Sequence, residues 1–218
     1  MAIINIAEPD VTLTDYGLAL ECAVFAVLLY RLRGSAGSAR TWFTVFFAAL
    51  SAAALAGGTV HGFLYDEASL AHQVAWNATL IAIGVVALSA WMIGSRFELV
   101  RRAGPLVRGT GIALFIAYCL TVLTVRNTFD VAIIHYLPAV FFLLVAFSAS
   151  YLRSRKQYWL TGLIGLSLTL VAAGVQQLGI ALHPVYFDHN ALYHLIQAVA
   201  VLMLFVSART IVPQGAEK

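Results

Sequence analysis

Residues 131–152 read VAIIHYLPAVFFLLVAFSASYL and contain no charged side chain. A helix of about 20 mostly apolar residues is long enough to cross the hydrocarbon core of a membrane. Six other segments of the chain have a similar length and apolar character. The sequence therefore predicts seven spanning helices, at residues 13–33, 41–64, 70–95, 106–125, 131–152, 158–181 and 188–209.

The composition agrees with a membrane protein. Of the 218 residues, 61% are hydrophobic and 11% are charged, and the mean hydropathy is +0.89. Soluble domains are about 45–50% apolar and about 25% charged. The composition therefore excludes a soluble enzyme, a disordered chain and a disulfide-rich secreted module, and a net charge of +3 gives no sign of a nucleic-acid partner. We expect one all-α domain over residues 1–218, a polytopic bundle of seven transmembrane helices.

The Lys and Arg side chains predict the orientation of the chain in the membrane. Twelve of the thirteen basic residues flank the first, third and fifth loops or follow the last span, and only Arg126 lies at the other end. We expect the N-terminus outside and the C-terminus in the cytoplasm, in the plasma membrane. Acidic residues show the opposite bias, so Asp10 and Asp15 are expected near the outer interface. The twelve basic residues are Arg31, Arg33, Arg40, Arg96, Arg101, Arg102, Arg108, Arg153, Arg155, Lys156, Arg209 and Lys218.

The histidines share one side of this topology. In one interpretation, imidazoles replace Lys and Arg at an outer interface where positive charge is disfavoured. In the other, some of them form a functional site, which suits those at or inside helix ends better than those in loops. All six are predicted in the outer half: His61, His72, His135, His183, His189 and His194.

The start of the seventh span, FDHNALYHLIQAVAVLMLF, carries polar residues at helical spacing. Asn190, His194 and Gln197 follow the pattern i, i+4, i+7, which places them on one helical face. Polar side chains at membrane depth usually face the bundle interior or a water-filled cavity. His189 and His194 are five residues apart and point about 140° away from each other on an ideal helix.

The second span surrounds His61 with Gly57, Gly58 and Gly62. Glycines let a neighbouring helix backbone approach closely. The segment is either a packing seam with an interfacial histidine or a thin wall of a pocket into which the imidazole points.

Glu21 is the most costly residue in the chain because it lies within the first span. A carboxylate at that depth must be paired, hydrated or protonated. It is either a functional group or a structural hydrogen-bonding group between helices.

We expect a polar pocket open to the outer side, with Glu21, Asn77 and Asn190 as catalytic candidates, His61, His189 and His194 as metal ligands, and His135, Tyr136 and Gln197 as pocket residues.

Imidazole and carboxylate side chains suit zinc, which can activate a bound water near neutral pH. The arrangement resembles the seven-helix hydrolase superfamily that includes alkaline ceramidases and the progestin/adiponectin receptors. His61 would match the zinc ligand on that family's second span, and His194 the second of two on its seventh. Where the family has a serine and a further histidine, this chain has Gly57 and Asn190. The resemblance implies a zinc-dependent hydrolase acting on a lipid amide or ester at the outer face.

Other functions remain open. One alternative is a non-enzymatic sensor that binds a lipid or small molecule in the outer pocket, and a third is a transporter that uses Glu21. Axial haem ligation by His61 and His194 is a further alternative. Covalent retinal binding is excluded, because it needs a lysine in the last span and the only lysines are Lys156 and Lys218. Membrane lipids are the expected surroundings, and the sequence fixes no oligomeric state.

Overall fold

The computed structural model describes residues 6–32 and 38–214. Arg33 and Lys218, two of the basic residues used above for orientation, lie outside this part of the chain. Seven long helices make up the described residues, with a single 3-10 turn at Arg101–Ala103 before the fourth. They are α1 (Pro9–Tyr30), α2 (Ser38–Phe63), α3 (Leu70–Gly94), α4 (Gly104–Thr124), α5 (Phe129–Ser154), α6 (Gln157–Gln177) and α7 (His189–Gln214).

All seven helices are long and apolar enough to cross a membrane. The predicted all-α fold and the predicted number of helices long and apolar enough to span a membrane are therefore confirmed for residues 6–32 and 38–214. Within these ranges the only extended pairing is an isolated bridge between His183 and Phe187, in the loop between α6 and α7.

The first helix begins earlier than predicted. It starts at Pro9 rather than at residue 13, because proline is favoured in the first turn, where its missing N–H has no helical partner. Asp15 consequently lies on the second turn, on the same face as Val11, Leu18 and Cys22, and all four are buried. Only 3% of Asp15 is exposed, so its side chain lies inside the bundle, whereas its position near the outer interface of the membrane stays a prediction.

Neighbouring helices in the sequence are mostly neighbours in space. The first helix packs between α2 and α7, while α3 contacts α2, α4 and α5, and α6 joins α5 to α7. Contacts between distant segments identify the two ends of the bundle. Arg153 approaches Glu98 at 3.6 Å at what we call the basic end, whereas His61 approaches Glu8 at 2.8 Å at what we call the histidine end.

Aromatic side chains fill the core toward the basic end. Phe25 of α1 stacks on Phe205 of α7 with ring centroids 4.1 Å apart, and Phe47 of α2 meets Phe25 edge to face at 5.6 Å. Such aromatic pairs bury large apolar areas in a specific geometry. The aromatic core between α1, α2 and α7 is therefore closely packed. A cavity of about 240 Å³ lies at the basic end, lined by Phe97, Glu98, Leu99, Ser150, Arg153, Ser154 and Trp159.

Candidate ligand-binding site

A buried carboxylate–imidazole pair joins the first helix to the last. Oδ1 of Asp15 lies 3.1 Å from Nε2 of His194, and the two residues are 3% and 8% exposed. Burying either polar group alone would be costly, whereas a buried pair that hydrogen-bonds satisfies both members. The pair therefore fixes the approach of α1 to α7.

The second ring nitrogen of His194 is also occupied. Nδ1 lies 3.3 Å from the hydroxyl oxygen of Thr14, and that hydroxyl is 2.8 Å from the carbonyl oxygen of Asp10. The shorter distance favours donation of the hydroxyl hydrogen to the Asp10 carbonyl, so that Nδ1–H of His194 donates to Thr14. One further proton then lies between Nε2 of His194 and the Asp15 carboxyl.

Thr14, His194 and Asp15 are a hydroxyl, an imidazole and a carboxyl group in contact, the same three groups that form a catalytic triad. A nucleophilic hydroxyl must direct its hydrogen to the imidazole and its oxygen toward substrate. The Thr14 hydroxyl instead lies within hydrogen-bond distance of two carbonyls of its own helix, Asp10 and Val11, and Thr14 does not line the cavity described below. The three residues therefore form a structural hydrogen-bonded set.

The glycines of α2 make room for this pair. A Cβ atom at Gly58 would lie 2.8 Å from Cβ of Asp15, and one at Gly62 would lie 2.8 Å from the hydroxyl oxygen of Thr12. At Gly57 it would lie 3.4 Å from Oδ2 of Asp15. The glycine segment is thus a packing seam against α1, and at Gly57 it is also a wall of the cavity.

A cavity of about 260 Å³ lies in the histidine half of the bundle. All helices except α4 contribute to its lining. Toward the helix ends the lining combines polar groups with the rings of Trp76 and Phe129, and the deeper part, between α1, α2 and α3, is mainly apolar. The lining residues are Asp15, Leu18, Leu50, Ala53, Ala54, Gly57, His61, Trp76, Thr79, Ile83, Phe129, Gln176, His189, Asn190, Tyr193 and His194.

Acidic side chains hold the rim of the cavity together. Oε2 of Glu8 lies 2.8 Å from Nδ1 of His61, which leaves Nε2 of His61 without a partner among the described residues. The Asp10 carboxylate accepts a hydrogen bond from the backbone N–H of Asp188 at 3.0 Å. Asp188 in turn accepts one from the N–H of Ala191, which satisfies a free donor at the start of α7.

Four of the predicted site residues line the cavity: His61, His189, Asn190 and His194. His189 and His194 share it despite their angular separation, because His189 is the first residue of α7 and lies at the rim. The Asn190 oxygen accepts a hydrogen bond from Gln176 at 3.4 Å, so the Asn190 amide nitrogen remains available to a ligand.

Four others lie elsewhere in the bundle. The Asn77 oxygen accepts a hydrogen bond from Asn127 at 3.4 Å, in the region where α3 meets the loop before α5. His135 stacks on Tyr118 at 4.1 Å, and Tyr136 packs against the main apolar core. Gln197 donates a hydrogen bond to Thr169 at 3.4 Å. None of these four side chains lines the cavity.

Glu21 does not join the cavity either. It is half-exposed and has no hydrogen-bond or ion-pair partner within residues 6–32 and 38–214. Asp15, which the sequence analysis assigned to the interface, is the carboxylate that lines the cavity. Val11, Leu18 and Cys22 lie at i−4, i+3 and i+7 from Asp15, on the same helical face. This spacing is a weak signal in the sequence, because apolar residues also occupy the other faces of α1.

The side chains do not form a ready metal site. Within the described ranges no three His, Cys, Asp or Glu side chains are grouped so that they could hold a metal ion. His194 would have to release Asp15 or Thr14 to offer a nitrogen to zinc. Zinc binding at this site therefore stays a prediction.

Residues 11–212 match the model of a protein family described as a family of unknown function, DUF6962. The chain belongs to this family. A comparison with curated proteins finds no match. The family description assigns no activity, so the resemblance to seven-helix hydrolases also stays a prediction.

Removing either member of the Asp15–His194 pair should strongly destabilise the fold. We expect Asp15→Ala or His194→Ala to lower the free energy of unfolding by about 3–5 kcal/mol, because each leaves a buried polar partner unsatisfied. The double variant should lose less than the sum, with a coupling of about 1–3 kcal/mol. Unfolding in detergent micelles, followed by tryptophan fluorescence, measures these differences.

Glu8 and His61 provide the matched control, since they form a more exposed carboxylate–imidazole pair between the start of α1 and the end of α2. Their coupling in the same double-mutant cycle should be about 1 kcal/mol or less. A coupling for Asp15 and His194 that is no larger than this control would contradict a structural role for the buried pair.

Proposed function

We propose that this protein spans the plasma membrane seven times, with its basic end in the cytoplasm and its histidine end outside. The support is the excess of Lys and Arg at one end of helices that are long enough to span, since cytoplasmic loops are enriched in basic residues. In this orientation the cavity lies in the outer half of the bundle.

Single cysteines should report the orientation. In a variant with Cys22→Ala and Cys119→Ser, we expect a membrane-impermeant maleimide to label Val185→Cys on intact cells, and Leu99→Cys only after the cells are opened. Both positions are exposed, Val185 in the loop between α6 and α7 and Leu99 at the basic end. Labelling of Leu99→Cys alone on intact cells would reverse the proposed orientation.

We propose that the cavity binds a small amphipathic ligand and that the protein acts as a sensor or binding protein for it. The observation that carries the proposal is the division of the lining: polar side chains near the helix ends and apolar side chains deeper in the bundle. Ligand pockets typically combine an apolar body with a few polar groups that fix orientation. A short acyl chain fits the deep part, and a polar head fits the rim.

The rim favours an uncharged head. Among the described residues, no Lys or Arg lines the cavity. The imidazole of His61 already has a carboxylate partner in Glu8, and His189 has Asp188 at 4.0 Å. A charged head would therefore enter without a free countercharge, at a high desolvation cost. The groups left for it are the amide nitrogen of Asn190 and Nε2 of His61, which suit an amide, ester or hydroxyl.

A photoreactive amide can test this binding. We expect octanamide with a diazirine in its chain and a terminal alkyne to label the protein saturably, and to do so better than the matching octanoate. Ala54→Phe should abolish the labelling because it fills the cavity. Asn190→Leu should weaken it about tenfold, because a buried ligand group loses its hydrogen-bond donor.

Ala113→Phe is the matched control, since it adds the same side chain on the exposed side of α4, away from the cavity. It should leave the labelling unchanged. Equal labelling of the Ala54→Phe and Ala113→Phe variants would rule out the cavity as the binding site, and preference for the carboxylate would contradict an uncharged head.

Zinc-dependent hydrolysis of a lipid amide or ester is the second candidate. The observation in its favour is that three imidazoles, His61, His189 and His194, line one cavity. It predicts about one zinc per chain after purification in detergent and none in the His61→Ala, His194→Ala double variant. Elemental analysis that finds no metal in the wild type, even after incubation with zinc, would remove this candidate and leave ligand binding.

A further inference from the structure

Glu21 lies near the middle of α1, about 18 Å along the helix axis from its first residue. Glu21 is half-buried, and in the described part of the chain its carboxyl group has no hydrogen-bond or ion-pair partner. In the membrane placement proposed above, this position is close to the centre of the bilayer. An unpaired carboxyl group there is costly, because lipid chains neither hydrate it nor form hydrogen bonds with it.

The surface around Glu21 is a narrow exposed face of α1, which we call the α1 strip. Its residues recur at helical spacing, and all of them are exposed except Glu21, which is half-buried at the edge of the strip. Gly17 lies one turn before Glu21, and a Cβ atom built on it would meet nothing within 4 Å. The strip consists of Leu13, Gly17, Leu20, Glu21, Val24 and Leu28.

We propose that two copies of this chain associate in the membrane through the α1 strip, with their Glu21 carboxyl groups hydrogen-bonded to each other. This proposal rests on the membrane placement proposed above, and it is independent of what the cavity binds. The pair of carboxyl groups would supply the partner that each lacks within its own chain.

Symmetry brings the two carboxyl groups together. Two copies with the same orientation in a membrane are related by an axis along the membrane normal, and a two-fold axis of this kind keeps every residue at its own depth. Glu21 of one copy therefore lies at the same depth in the membrane as Glu21 of the other copy. Two carboxyl groups that share protons can donate and accept reciprocally.

The small residue beside Glu21 allows the contact. Helices in membranes associate through small residues that let their backbones approach, together with polar side chains that hydrogen-bond across the interface. Gly17 supplies the first feature and Glu21 the second, while Val24 and Leu28 supply apolar contact further along the strip. The exposed face of α4 is different. Its side chains Ile112, Ile116 and Leu120 are apolar, so contact with lipid is sufficient for them and they require no hydrogen-bond partner.

Cysteine cross-linking locates the interface. In the variant with Cys22→Ala and Cys119→Ser, Val24→Cys should form a disulfide-linked dimer when membranes are oxidised. Ile116→Cys, at a similarly exposed site on α4, is the matched control and should remain largely monomeric. Cross-linking of Val24→Cys no stronger than that of Ile116→Cys would overturn the proposal, as would a cross-linked product whose mass shows a different protein.

Energy transfer between fluorescently labelled copies in vesicles of decreasing protein density measures the association itself. Glu21→Leu should weaken association about tenfold, the effect of one interhelical hydrogen bond, whereas Glu21→Gln should retain it because the amide can donate and accept. Unchanged association of Glu21→Leu would overturn the role of the carboxyl group. If the Glu21→Leu variant is labelled by octanamide as strongly as the wild type, its bundle is folded. If octanamide does not label the wild type, the control is instead that the variant and the wild type have the same thermal unfolding midpoint.

The readouts keep the two proposals apart. If the cavity is not labelled but the cross-link forms, only the ligand-binding proposal is contradicted. If the cavity is labelled but the cross-link does not form, only the association proposal is contradicted. A reversed orientation in the maleimide experiment would leave the association proposal in place, because Glu21 lies near the bilayer centre in either orientation. Labelling of both cysteines on intact cells would remove the membrane placement on which the association rests.

Discussion

The contact between Asp15 and His194 is the constraint on which the histidine half of the bundle depends. Both groups are almost fully buried, so each must find its partner within the protein. Their 3.1 Å contact holds the first helix against the last, and the stacked rings of Phe25 and Phe205 do the same toward the basic end. Polar and aromatic contacts together close α1 onto α7 and fix the shape of the space between them.

The cavity follows from this closure. The glycine seam of α2 lets α1 approach so closely that the Asp15 carboxyl reaches the interior, and α7 places its first two turns on the opposite side. The resulting space has its polar groups where the helices end and is mainly apolar where they continue. That gradient is the physical reason for proposing an amphipathic ligand. The head is proposed to be uncharged because the described lining residues include no lysine or arginine.

The sequence was sufficient for the spans and for the polar face at the start of α7, because both depend on local patterns of apolar and polar residues. It was insufficient for α1, where Asp15 lines the cavity and Glu21, the predicted catalytic carboxylate, does not. Apolar side chains surround this helix on nearly every side, so no stripe indicates which face turns inward. Asp15 could be assigned to the interior only with the helix starting at Pro9 and with α7 in place, and Glu21 is then half-buried away from the cavity.

A nitrogen–carbon distance measured by solid-state NMR tests the central claim most directly. With ¹⁵N-labelled histidine and ¹³C-labelled aspartate in protein reconstituted into bilayers, Nε2 of His194 should show a strong dipolar coupling to the Asp15 carboxyl carbon, as a direct hydrogen bond of 3.1 Å requires. The coupling should vanish in Asp15→Asn prepared with the same labels. Absence of the coupling in the wild type, or a chemical shift typical of metal-bound nitrogen at His194, would contradict the account.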